Sequence, residues 1–204
     1  MATVLFVTFA VMYFAGVDLH MTMAWPLATL VLYGLGILPW QMCLAMAFSC
    51  CGDVMGILDR FLPQMGFFAL AHISMLCLFV PLERKSVGRM ARLHVYGMSV
   101  ILLGILVFAF VKILPSVESP VVRTGASVYS ILIAAMAWAA SMQVSRNDAW
   151  TCVIPVGALL FLGSDMVLAW NAFVSPLAAE KYLIMVPYYL GQLLLFWGTA
   201  LRRR

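Results

Sequence analysis

Apolar runs fill nearly the whole chain, and they are broken only by short links that carry the prolines and most of the charge. The runs cover residues 2–17, 24–38, 40–58, 62–82, 93–114, 120–143, 149–171 and 181–201. A helix needs roughly 20 apolar residues to cross the hydrocarbon core of a bilayer. Eight such spans and their links use up the 204 residues and leave no room for a separate soluble domain. Charge content points the same way: 10% of residues are charged and 65% are hydrophobic, against about 25% charged in a soluble domain. That much polar surface cannot cover a water-soluble globule, whereas lipid solvates apolar side chains directly. The expectation is an all-α integral membrane bundle of about eight transmembrane helices, forming a single transmembrane domain over 1–204. Its place is the cell membrane, or the inner membrane in a bacterium.

Six prolines (Pro26, Pro39, Pro63, Pro115, Pro120 and Pro176) fall near span ends, where a missing N–H does least harm. Pro155 and Pro187 fall within spans and are expected to kink them. The first two runs are short, so 25–38 is either a span or a re-entrant segment. No basic region precedes the first run, which reads as a retained span rather than a signal peptide. Orientation follows the cations. Arg84, Lys85, Arg89, Arg92, Arg146, Arg202, Arg203 and Arg204 share one face of an even-numbered bundle with the N-terminus, against Arg60, Lys112, Arg123 and Lys181 on the other. Both termini are therefore expected in the cytoplasm. The net charge of +4 is spread along membrane edges, without the basic stripe and interleaved aromatics of a nucleic-acid surface. Cys43, Cys50, Cys51, Cys77 and Cys152 lie in spans without a C-x-x-C pair and read as small apolar residues.

Against this background two acids stand out. Asp18, Asp59, Glu83, Glu118, Asp148 and Glu180 sit at loops or span ends, but Asp53 and Asp165 do not. An aspartate near a helix centre costs about 2.5–3.5 kcal/mol on insertion scales. A simple interhelical hydrogen bond repays that cost weakly. At ~1.5 Å per residue, Asp53 lies roughly 8 Å below the outer end of its span and Asp165 roughly 9 Å below its own. Tyr129 and His72 fall at roughly 12 and 15 Å. Tyr188 and Gln192 are one turn apart on the last span, and Ser49 is one turn before Asp53 on its face. Polar groups at one level on five helices suggest a single pocket open toward the outer leaflet. Bland readings compete. His72 can be a satisfied packing residue, Tyr129 a packing aromatic with its hydroxyl bonded, and the fifteen Met residues apolar filler.

The stretches Phe48-Ser49-Cys50-Cys51-Gly52-Asp53-Val54, Phe67-Phe68-Ala69-Leu70-Ala71-His72, Tyr129 with Met136, Gly157-Ala158-Leu159-Leu160-Phe161 running into Ser164-Asp165, and Tyr188-Tyr189-Leu190-Gly191-Gln192 recur in this order over about 150 residues. Taken together the chain resembles the lysoplasmalogenase-like YhhN family of multi-spanning membrane proteins. One departure is visible: the family usually carries Lys-Pro before the second span, and Trp25-Pro26 stands here. The resemblance implies eight helices and a lipid substrate, a lysoplasmalogen whose vinyl-ether bond is cleaved to a fatty aldehyde and a glycerophospho-alcohol.

Vinyl ethers hydrolyse by acid catalysis through an oxocarbenium ion, a demand like that of glycoside hydrolysis. One carboxylic acid gives a proton, and one carboxylate supports positive charge and activates water. Asp165 is assigned as the general acid and Asp53 as the base and cation stabiliser, with the reverse order left open by the sequence. Tyr188 and Gln192 are candidates to orient an acid or the water, and His72 to bind the polar end of the substrate. The scheme needs no cofactor and no metal: His20, His72 and His94 fall at an outer loop, mid-membrane and a cytoplasmic end, and so cannot share one zinc. No Gly-x-Ser-x-Gly elbow marks a serine hydrolase. The competing readings are a small proton-coupled transporter, for which intramembrane acids are familiar, and a non-catalytic membrane protein.

Overall fold

The computed structural model describes residues 1–17, 21–80, 89–144 and 152–202, with no account of the side chains of 89–94 and 202. Among the described residues there are eight α-helices and no strand. They are α1 (Ala2–Phe14), α2 (Trp25–Gly34), α3 (Trp40–Ile57), α4 (Phe61–Phe79), α5 (Arg89–Phe108), α6 (Pro120–Ser141), α7 (Val153–Phe173) and α8 (Glu180–Arg202). Among the described residues six runs are long and apolar enough to cross a membrane: Trp40–Ile57, Phe61–Phe79, Val95–Ser116, Pro120–Ser141, Val153–Phe173 and Glu180–Leu201. This is an integral, multi-pass membrane protein. The first two helices are shorter. At ~1.5 Å per residue α1 reaches about 20 Å and α2 about 15 Å, less than the roughly 30 Å hydrocarbon core. The cations of 84–85, Arg146, Arg203 and Arg204, on which the orientation rests, lie outside the described residues, as do Asp18, His20, Glu83 and Asp148.

The chain divides into two compact units, 1–78 and 79–204. In the first, α1 packs on α2 and α2 on α3. Phe9 and Trp25 stack with ring centroids 5.7 Å apart, and the Cys50 thiol reaches the Ala24 carbonyl at 3.6 Å. Between α3 and α4 only residues 58–60 remain, and the chain turns there through Asp59 at φ 52°. Aspartate is among the few residues that tolerate this left-handed region. Glycines on α3 let α4 come close. A Cβ on Gly52 would lie 3.0 Å from the Phe68 ring, and one on Gly56 2.7 Å from the Gln64 amide.

The second unit is built around the α7–α8 hairpin. A Cβ on Gly157 would lie 2.8 Å from the Gly191 carbonyl oxygen, and one on Gly191 would lie 2.8 Å from the Gly157 oxygen. The two backbones touch, as small residues allow between membrane helices. On α8 the residues Met185, Tyr188, Gln192, Leu195 and Thr199 are all buried, at the i, i+3, i+7 spacing of one helical face. The turn over 174–179 is tied at both ends: Trp170 donates to Ser175 Oγ at 3.0 Å, Asn171 donates to Glu180, and the Leu177 N–H donates to Asn171 Oδ1 at 2.7 Å. Trp138 donates to Ser99 Oγ at 3.0 Å and joins α6 to α5.

One expectation about breaks needs correction. Pro155 is not mid-helix: α7 starts at Val153, so Pro155 sits in the first turn, where its N–H would have had no partner. The fifth span is not plain α-helix to its end. It passes through a π-turn at Ala109–Ile113 and a 3-10 turn at Leu114–Ser116. Pro115 withdraws the N–H that the Val111 carbonyl would accept, and the hydrogen-bond ladder changes register there. Pro187 does lie inside α8.

Candidate active site

Each unit carries one of the two intramembrane acids. In the first unit Asp53 sits on α3, four residues from the C-terminal end, and is 1% exposed. Ser49, one turn earlier on that face, is fully buried, and so is His72 on α4. Gly52 lets the Phe68 ring lie against the α3 backbone one residue before Asp53. Arg60 is the sole Lys or Arg in residues 1–78. It lies seven positions beyond Asp53, past the helix end, about 10 Å along the axis.

In the second unit the structure brings together two of the sequence-derived candidates. The Tyr129 hydroxyl, on α6, donates a hydrogen bond to Asp165 Oδ2 on α7. Both side chains are half-buried. Tyr188 and Gln192 are buried on the α8 face, 3% and 0% exposed. Tyr188 meets Phe161 of α7 edge-to-face, with centroids 5.4 Å apart. A tyrosine with an apolar body and a hydroxyl suits this mixed environment.

Sequence reasoning passed over Ser164 as a functional support. Its hydroxyl donates to the Ile184 carbonyl of α8 at 2.8 Å, three residues before Pro187. The proline supplies no N–H to the Leu183 carbonyl one turn back, so the helix ladder is already broken there. A bond from α7 steadies that stretch of α8 and pins the backbone at Asp165. A proline in a span, facing a Ser-Asp pair on the neighbouring span, was the available signal. The glycine pairing of 157 with 191 could be read from the sequence only as two small residues, because the partner across a helix interface is set by tertiary packing.

Fold and polar residues together define a polytopic helical membrane protein with acids held inside its spans. The chain matches the YhhN family over residues 17–199 and belongs to it. Its similarity to named relatives is modest. It is 29% identical to the lysoplasmalogenase TMEM86B of Rattus norvegicus, over 83% of this chain and 68% of that protein. Against the Sus scrofa lysoplasmalogenase TMEM86B it is 39% identical over 33% of this chain, and against the Homo sapiens one 40% over the same share. These last two matches span 26% of each relative's length. No solved structure gives a significant match.

Proposed function

We propose that this protein is a membrane ether hydrolase that opens the vinyl-ether bond of lysoplasmalogen-type lipids, with Asp53 and Asp165 as its acid–base pair. The observation that carries the reading is an aspartate bonded to a tyrosine within the spanning helices, Asp165 with Tyr129. Family membership and the printed names of the relatives support the substrate class. That the two units act as one transmembrane domain over 1–204, with both termini in the cytoplasm, belongs to the same proposal. So does a supporting role for Ser49, His72, Tyr188 and Gln192 around the lipid.

The cycle of such a hydrolysis needs one carboxyl that starts protonated and one that starts ionised. The protonated one transfers its proton to the alkenyl carbon distal to the ether oxygen. The double bond supplies the electron pair for the new C–H bond, and an oxocarbenium ion forms beside the second carboxylate. Water adds to the cationic carbon and loses a proton to that carboxylate, which gives a hemiacetal. The hemiacetal hydroxyl then returns a proton to the first carboxylate as the carbonyl forms. The C–O bond to the glycerol breaks, and its oxygen takes the proton held by the second carboxyl. Aldehyde and alcohol leave, and both acids are restored. A lipid substrate suits this placement, because its chain can enter sideways between helices while its headgroup stays at the interface.

The test is release of fatty aldehyde from a lysoplasmalogen by the purified protein in detergent, where no gradient exists. Turnover there supports the hydrolase. Substrate movement only in sealed vesicles, with no aldehyde, returns the transporter reading.

A further inference from the structure

The geometry points to a headgroup site at the end of the second unit where α6 begins and α7 turns into α8. There Arg123 takes the phosphate of a zwitterionic lysophospholipid, and Glu180, held by Asn171, takes its ammonium. The inference rests on the hydrolase reading above and extends it to the part of the lipid that does not react. Both charged side chains are exposed, and both are held by hydrogen bonds. The Arg123 guanidinium donates through Nε and Nη2 to the Val117 carbonyl at 2.9 and 2.5 Å. Further N–H donors of the guanidinium fork remain for a second acceptor, and the fork matches the geometry of a phosphate. The Glu180 carboxylate accepts from the Asn171 amide through one oxygen. Asn171 is itself fixed by the Leu177 N–H, which donates to its Oδ1 at 2.7 Å. Arginine and glutamate lose much rotamer freedom when they are ordered. Charges already held in place bind a ligand without that loss.

The level of these residues fits the length of the lipid. Tyr129 and Asp165 are bonded, so they mark one level on two consecutive spans, which run in opposite directions. Arg123 stands six residues before Tyr129 on α6, and Asn171 six residues after Asp165 on α7. At ~1.5 Å per residue both lie about 9 Å from the bonded pair toward the helix ends. In a lysoplasmalogen seven bonds separate the alkenyl carbon that takes the proton from the phosphorus. An extended chain advances about 1.2 Å per bond, so the phosphorus is about 8 Å away. A lipid with its vinyl ether at Asp165 thus has its phosphate at the level of Arg123. The ammonium lies a few bonds further along, toward the turn that carries Glu180. His72, the first candidate for the polar end, is fully buried and would have to take the headgroup out of water.

Equilibrium binding to the full chain in detergent tests this without turnover. The probes are three saturated ether lipids that cannot be cleaved: an alkylglycerol, its 3-phosphate and its 3-phosphoethanolamine. Arg123→Gln is expected to weaken both phosphate-bearing lipids about 10-fold, the scale of a hydrogen bond to a charged group, and the alkylglycerol by less than about twofold. Glu180→Gln keeps an acceptor for Asn171 and is expected to weaken the phosphoethanolamine lipid alone, by about three- to fivefold, the scale of an exposed ion pair. Glu180→Lys should favour the phosphate over the phosphoethanolamine lipid. The alkylglycerol is the internal check on folding: equal weakening of all three lipids gives the residue a structural role and overturns the site. Unchanged binding in Arg123→Gln and Glu180→Gln overturns it as well. Displacement of the lipids by millimolar inorganic phosphate marks a site for the free anion and overturns the lipid assignment. Failure of the hydrolase reading shows separately, as the expected binding pattern with no aldehyde from the vinyl-ether lipid. Aldehyde release without the binding pattern overturns the headgroup site alone.

Discussion

The two units hold the same functional group in different ways. In residues 1–78 the helices include two of sub-spanning length, the closest approaches set a glycine against a side chain, and the aspartate is almost fully buried on a helix face that also carries the buried Ser49. In residues 79–204 the spans are long, α7 and α8 meet backbone to backbone, and the half-buried aspartate accepts a hydrogen bond from Tyr129, while its chain neighbour Ser164 donates separately to α8. The same residue type thus stands in two different surroundings, set by the helices that carry it.

The sharpest way to break this comparison is to neutralise each acid in turn. Asp53→Asn and Asp165→Asn should each fold and each lose about 10²- to 10⁴-fold in aldehyde release, the range for loss of a general acid or base. Full activity in either variant would reduce the pair to a single working acid. Next in size is the contrast in packing. Gly191→Leu should lower stability in detergent by about 3 kcal/mol, because the nearest atoms are backbone and cannot rotate away. Gly52→Ala meets only the edge of the Phe68 ring and should cost about 1 kcal/mol. Gly104→Ala, with open space around it, should be neutral or stabilise by up to about 1 kcal/mol. Thermal melts of the three variants give the order, and equal melts for Gly191→Leu and Gly52→Ala would erase the difference between the units.

Smaller effects sharpen the picture of the second unit. Ser164→Ala removes the bond to the Ile184 carbonyl and should cost about 1 kcal/mol of stability, within the measured span for polar contacts between membrane helices. It should also lower kcat more than it raises KM, since the lost bond steadies Asp165 rather than the lipid. Trp138→Phe removes the bond to Ser99 on α5 and should cost about 0.6 kcal/mol with activity unchanged. A loss of activity in Trp138→Phe as large as in Ser164→Ala would mean that the network near Asp165 has no special standing.

Much of the fold was legible because the bilayer imposes a simple rule. Backbone groups must be satisfied within the segment, so a long apolar run is a helix and its end falls at charge, proline or glycine. The expected runs 40–58 and 120–143 fall within two residues of the helices Trp40–Ile57 and Pro120–Ser141. The same rule made Asp53 and Asp165 conspicuous. It could not locate the change of helix register at residues 109–116 or the true start of α7. Hydropathy is blind to which carbonyl a given N–H meets.

What the sequence determined by itself was therefore the solvent, the helical class, the family and the identity of the costly side chains, since each follows from composition and order along one segment. What only the tertiary structure decided was which groups meet across helices: Tyr129 on Asp165, Ser164 on the carbonyl beside Pro187, Gly157 against Gly191. The physical reason is that hydrophobic periodicity states how far a residue prefers to be from water, while a hydrogen bond depends on position to a few tenths of an ångström, and that position is fixed by the packing of several segments at once.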